Sequence, residues 1–227
     1  CSKFKPKSEV PAYLTVMDIA GLVKGASEGE GLGNAFLSHI AATDAIFHLC
    51  RVFEETMDGD AAVHVEDNVD PVRDLEIIAD ELRKKDIAAV DKLLEPLQKW
   101  VERNGKDKAA KDKLESMTKI RACLVDEGKD VRFGTWNNKD IDVLDELYLL
   151  TAKPGVYLVN MSEKDFVRRK NKWLPKIKQW VDENRPGEKM IPYSAAFEQK
   201  LFEMADDDER AKYCEEIKTT SQMPKIV

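Results

Sequence analysis

The sequence predicts an α/β fold built on a parallel sheet, with an antiparallel helical hairpin inserted into it. Short apolar runs near 12–18, 45–52, 155–159 and 190–194 alternate with helix-period segments, the pattern of strands joined by crossovers. The run Gly155 to Val159 holds no charge, as expected of a strand covered on both faces. Between 70 and 125 the strand signal disappears, and two amphipathic stretches flank one turn.

Taken in order, residues 12–18 read as the first strand, followed by a glycine-rich loop over 21–33. A short helix from Asn34 to Ala42 has Phe36, Leu37 and Ile40 at helical spacing, and a second strand spans Ala45 to Val52. This strand–helix–strand order implies a right-handed crossover. Pro71 suits a first helical turn. Leu75, Ile78 and Leu82, then Val90, Leu94, Leu97 and Val101, give the first arm of the hairpin. Arg103 to Lys106 is the turn, and Leu114, Met117, Ile120 and Leu124 give the second arm. Pro96 is expected to kink or divide the first arm, because it removes a backbone donor. Val131 to Phe133 reads as extended, and Asn137 to Leu149 as a helix that Asn138 could cap. Gly155 to Val159 is a strand, Ser162 to Asn184 one helix, and Met190 to Ser194 a strand that Pro192 sets near an edge. Helical stretches near 197–204 and 207–217 follow.

Composition excludes several classes. The net charge of −7 gives no overall positive field for nucleic acid. Cys1, Cys50, Cys123 and Cys214 form no C-x-x-C pair, which fits reduced thiols rather than a disulfide frame or a metal site. His39, His48 and His64 lack ligand spacing, and His48 reads as a packed residue. No membrane span or signal peptide is visible.

One stretch carries chemistry. Thr15-Val16-Met17-Asp18-Ile19-Ala20-Gly21 ends a strand in Asp and turns at once into glycines 21, 25, 29, 31 and 33. P-loop nucleotidases build the metal and γ-phosphate end of their site this way. Asp18 would hold Mg²⁺, directly or through water, and the Gly21 N–H would face the γ-phosphate. Glycine lets the backbone come close to the phosphate. D-x-x-G alone also fits a strand followed by a flexible loop.

The longer run DIAGLVKGASEGEGLGNAFLSHI, Asp18 to Ile40, resembles the switch II region of the Obg-related nucleotidases, most closely the Obg-like ATPase (YchF) family. Asp44 to Leu49, Val69 to Asp74 and Tyr157 to Asp165 carry the same resemblance, which covers essentially the whole chain. It implies a Ras-like P-loop nucleotidase sheet in three layers. The nucleotide-binding domain (OBG-type G domain) would comprise 1–75 plus 132–227, with 76–131 as an inserted coiled-coil hairpin that protrudes. No G-x-x-x-x-G-K-[ST] occurs in the sequence. The resemblance therefore implies that the P-loop strand lies upstream and a small TGS domain downstream, and both chain ends read as cuts. With the P-loop strand central in such a sheet, a gap is expected between strands 12–18 and 45–52.

Asn160-Met161-Ser162-Glu163 falls where GTPases of this class carry N-K-x-D. There the Asp carboxylate accepts two hydrogen bonds from guanine. Glu163 is one methylene longer and cannot occupy the same place without displacing the base. Losing two charge-assisted bonds costs guanine on the order of 2–4 kcal/mol. Adenine offers no 2-amino group and an acceptor at N1, so an ionised carboxylate there never rewards it. Met161 can stack on the purine, and Asn160 can pair with the N6/N7 edge of adenine. Ser162 with Asp165 also makes an ordinary capping box. Ser194-Ala195-Ala196 matches the family's S-[AG]-A loop, whose backbone N–H groups would touch the base edge.

Leu22 stands where many GTPases place the water-orienting Gln, and an alkyl chain cannot orient water. No catalytic residue is assigned, and a slow intrinsic ATPase is expected. The resemblance implies Mg-dependent ATP hydrolysis, a switch role at the ribosome (large subunit) or with other translation components, and a cytoplasmic protein. No membrane and no sequence-specific DNA are expected as partners. Without a P-loop of its own, the chain alone is expected to be inactive. Two other functions compete: a non-catalytic interaction module using the hairpin, and an Obg-type GTPase, against which Glu163 and Met161 argue.

Overall fold

The computed structural model of the chain describes residues 8, 13–19, 39–54, 68–204 and 206–226. Its regular elements, in order, are β1 (Ile46–Arg51), α1 (Pro71–Arg103), α2 (Lys108–Val125), α3 (Asn138–Leu147), β2 (Gly155–Asn160), α4 (Glu163–Arg168), α5 (Leu174–Asn184), β3 (Lys189–Tyr193), α6 (Ala195–Glu203), α7 (Asp207–Glu216) and α8 (Met223–Ile226). The charge-free β2 is central in a parallel sheet of order β1-β2-β3. Ile46 lies opposite Gly155 and Arg51 opposite Asn160, while Val156 faces Lys189 and Asn160 faces Tyr193. Three parallel strands bring Arg51, Asn160 and Tyr193 to one edge, where ligands of open α/β sheets bind. β3 lies at the border of this sheet, as Pro192 predicts.

The strand expected over 12–18 is corrected within its described part. Residues 13–19 hold no regular secondary structure, and Tyr13, Leu14, Val16 and Met17 are exposed. An apolar run becomes a strand only where a neighbour takes its backbone N–H and C=O groups. Among the described residues no strand does so, and β1 pairs with β2 alone. Of the helix expected over 34–42, residues 39–41 are helical; 34–38 and the glycine loop lie outside the described residues.

α1 begins where Asp70 Oδ1 accepts the backbone N–H groups of Val72 and Arg73, both at 3.2 Å, with Pro71 next to the cap. At 1.5 Å per residue its 33 residues span about 50 Å. The helix passes through Pro96 undivided. Pro96 and Lys92 are both exposed, so the carbonyl that loses its donor faces water. One helix therefore serves two cores. Leu75 and Ala79 join the sheet core with Tyr157, Val159, Phe166, Ile177 and Val181. Further along, Val90 packs with Met117, Ile120 and Leu124 of α2, the seam predicted from the sequence.

α3 belongs with this second core, although the sequence divides the chain at 132. Val143, Leu144 and Leu147 pack on the hairpin. Buried Asp140 accepts from Ser116 Oγ at 2.8 Å and Lys119 Nζ at 2.6 Å, and from the Asn137 N–H at 3.1 Å. Asn137, not Asn138, is the cap. Residues 131–133 form a 3-10 turn rather than an extended piece.

The helix expected over 162–184 is broken into α4 and α5. Arg169 takes a left-handed backbone (φ 53°) at the end of α4. Asn171 then holds the break: its Nδ2 donates to Asp165 Oδ2 (2.8 Å) and its Oδ1 accepts from the Trp173 N–H (2.9 Å).

At the end of the sheet opposite Asn160, Asp130 returns the chain from the hairpin. It pairs with Arg185 at 2.7 Å and Arg83 at 3.6 Å. Burial pushes its carboxyl up to about 6, against the pull of the two arginines. Beside it His48 stacks on Tyr157 at 4.8 Å, a packed residue as predicted. Burial, and secondarily Arg185, lowers its imidazole to about 4. Cys50, Cys123 and Cys214 are free thiols.

Candidate functional site

At the C-terminal edge of the sheet two strand-to-helix turns lie side by side. Ser162 caps α4, its Oγ accepting the Asp165 N–H at 3.2 Å. Ser194 caps α6, its Oγ accepting the Phe197 N–H at 3.4 Å. Serine at both caps satisfies an N–H that the helix itself leaves without a partner. The turns are joined twice. The Met161 N–H donates to the Tyr193 carbonyl at 2.8 Å, and the Ala195 N–H donates to Asn160 Oδ1 at 3.0 Å.

That second bond fixes the Asn160 amide. Its oxygen must face the Ala195 N–H, which leaves the NH₂ group as the outward donor. A donor there matches purine N7, which adenine and guanine share. The donor that Asn160 offers in this pose does not distinguish adenine from guanine.

Six predicted residues thus gather here: Asn160, Met161, Glu163, Ser194, Ala195 and Ala196. They are not equally available. Met161 is 2% exposed and packed in the sheet core, so it supports the turn from beneath rather than offering a face for stacking. Ser194 is wholly buried, and only Ala195 and Ala196 of its loop reach the surface. Asp18 is exposed in the 13–19 segment; Gly21 and Leu22 lie outside the described residues.

Glu163 has partners that the sequence does not announce. One carboxylate oxygen accepts from Lys200 Nζ on α6, the other from the Tyr213 hydroxyl on α7 at 3.1 Å. The Glu163 bond is the largest influence holding Lys200 above the ordinary ammonium range. Burial pushes the Tyr213 phenol up, and Glu163 adds to it. Tyr213 in turn stacks on Phe197, which is wholly buried (centroids 6.1 Å apart).

Comparison with known proteins identifies the company this chain keeps. It is 55% identical over 224 residues to Obg-like ATPase 1 of Caenorhabditis elegans, covering 99% of the chain and 55% of that relative. It is 56% identical over 227 residues to Obg-like ATPase 1 of Oryza sativa subsp. indica, covering 100% of the chain and 56% of the relative. The chain belongs to the Obg-like ATPase (YchF) family.

The fold agrees with that membership. The solved Schizosaccharomyces pombe YchF GTPase superposes with a TM-score of 0.83 at 50% identity, over 100% of this chain and 59% of that one. No protein-family model matches. The chain spans a little over half the length of the curated relatives it matches. One group of relatives is named for ATP and the solved neighbour for GTP, so the names leave the base open.

Proposed function

We propose that this chain carries the base-reading part of an Obg-like ATPase, and that the full-length protein binds and hydrolyses ATP with Mg²⁺. The bond from the Ala195 N–H to Asn160 Oδ1 carries this proposal. It joins the two turns whose sequences match the family's base-binding runs, at the sheet edge where nucleotides bind. Adenine is favoured over guanine because the Glu163 carboxylate is longer than the usual Asp and is already engaged by Lys200 and Tyr213.

The phosphate cradle would come from sequence outside these 227 residues, since no G-x-x-x-x-G-K-[ST] run occurs among them. Asp18 would hold Mg²⁺, and a single exposed carboxylate fits this ion. Mg²⁺ keeps several waters and takes only one or two carboxylates beside substrate phosphates. Among the described residues no group of three or more His, Cys, Asp or Glu gathers into an all-protein cage. When bound, Mg²⁺ neutralises charge developing on the phosphate oxygens. Leu22 cannot orient the attacking water, so intrinsic turnover is slow. We carry over from the family a cytoplasmic setting and action at the ribosome.

A partner-binding role for the hairpin is a second function, favoured by one observation. Residues 102–109 at the tip are exposed throughout, and Leu93 and Trp100 nearby are more than half exposed. No helix among the described residues is long and apolar enough to cross a membrane.

The test is nucleotide binding and Mg-dependent ATP hydrolysis by the full-length protein, with Asn160→Ala beside it. Losing the amide should weaken ATP and GTP alike, by about tenfold or 1.4 kcal/mol. A full-length protein that binds no nucleotide, or an Asn160→Ala variant of unchanged affinity, would overturn the assignment of this site.

A further inference from the structure

We infer that Lys200 and Tyr213 are the residues that set base specificity, by holding the Glu163 carboxylate off the guanine edge. The inference rests on the base site proposed above and deepens it. A carboxylate rewards guanine when both oxygens are free to accept from the base N1–H and 2-amino group. Here each oxygen of Glu163 already has a donor, Lys200 Nζ on one and Tyr213 Oη on the other. The two donors come from different helices, α6 and α7, so the carboxylate is held by two separate elements.

The clamp is built firmly. Tyr213 lies on Phe197, which also meets Phe166 at 5.5 Å, so the phenol is set by the core beneath the site. The Glu163 side chain is only a quarter exposed, so little water competes for its two oxygens. Lys200 is 42% exposed and closes the pair from the solvent side. The arrangement explains how a carboxylate can occupy the guanine-reading position without reading guanine. Beside the greater length, the clamp takes one lone pair on each oxygen and fixes the direction in which the carboxylate points.

Lys200 and Tyr213 act through Glu163, so they are positioning residues. The experiment measures Kd for ATP and GTP by competition against a fluorescent ATP analogue, on the full-length protein with Mg²⁺. Lys200→Met/Tyr213→Phe should shift the ATP-to-GTP preference at least fivefold toward GTP, mainly by tightening GTP. Lys200→Arg, which keeps a donor, should preserve the wild-type ratio. Adding Glu163→Gln to the double variant should abolish the shift, because an amide cannot supply two acceptors. A purely structural role would weaken both nucleotides together and leave the ratio in place. Lys200→Met alone, at a partly exposed position, provides a well-folded second variant and should move the ratio in the same direction. A change below twofold in both the single and double variants, or the same change with Glu163→Gln present, overturns the clamp. A wild-type protein that binds neither nucleotide overturns the base site itself, and the clamp with it.

Discussion

Asp86→Ala is expected to destabilise the protein by about 2–4 kcal/mol, the largest stability effect among the substitutions considered. Asp86 lies in α1 and is 2% exposed. Its carboxylate accepts the Leu150 N–H at 2.9 Å, the Thr151 N–H at 2.7 Å and the Thr151 hydroxyl at 2.6 Å. These three bonds tie the long helix to the turn that launches β2. Alanine would leave three buried donors unmet, each worth roughly 1–3 kcal/mol. Part of that sum is returned, because the buried carboxylate is itself costly. Burial raises its pKa despite the bonds from Thr151 and Leu150. The net loss should lower the melting temperature by roughly 5–15 °C at 2–4 °C per kcal/mol. Asp86→Asn should recover little, because its NH₂ would face a donor. Asp80→Ala, on an exposed part of the same helix, should change stability by less than about 0.5 kcal/mol. Calorimetry of the full-length variants decides; an Asp86→Ala protein melting within 1 °C of wild type would contradict this role.

Asp18→Ala should lower Mg-dependent ATP hydrolysis by at least about a hundredfold, or 2.7 kcal/mol of barrier. The carboxylate ends the 13–18 stretch and is followed after two residues by Gly21, and in the proposed function it would hold the ion at the γ-phosphate. Its side chain is exposed and is not part of either core, so the fold should survive the change. Nucleotide affinity measured without Mg²⁺ should stay within threefold of wild type. This separates a role at the metal from one in folding or base reading. Single-turnover hydrolysis at saturating Mg²⁺ is the measurement. A rate within threefold of wild type would remove Asp18 from the metal site.

Much of this was readable in the chain, for local reasons. The charge-free β2 and the seam of Val90, Met117, Ile120 and Leu124 follow from spacing, while the turns at 160–163 and 194–196 stand out through the family resemblance, and the structure sets them side by side. What was not readable depends on distance. Lys200 and Tyr213 reach Glu163 across 37 and 50 positions, and no local pattern in α6 or α7 marks them. Asp86 meets Thr151 across 65 positions and reads locally as one more charge on a solvated helix. The 12–18 run has strand composition, but a strand also needs a neighbour, which composition cannot supply. Met161 follows a strand end and could face either way; apolar side chains at that depth are drawn into the core.

The most direct test of the central claim is a competition titration of fluorescent ATP by ATP and by GTP, on the full-length wild-type protein in Mg²⁺. A preference for ATP of at least tenfold, about 1.4 kcal/mol, is the predicted result. Equal or tighter binding of GTP would mean that Glu163 reads guanine despite its length and its two partners, and the protein would then be an Obg-type GTPase.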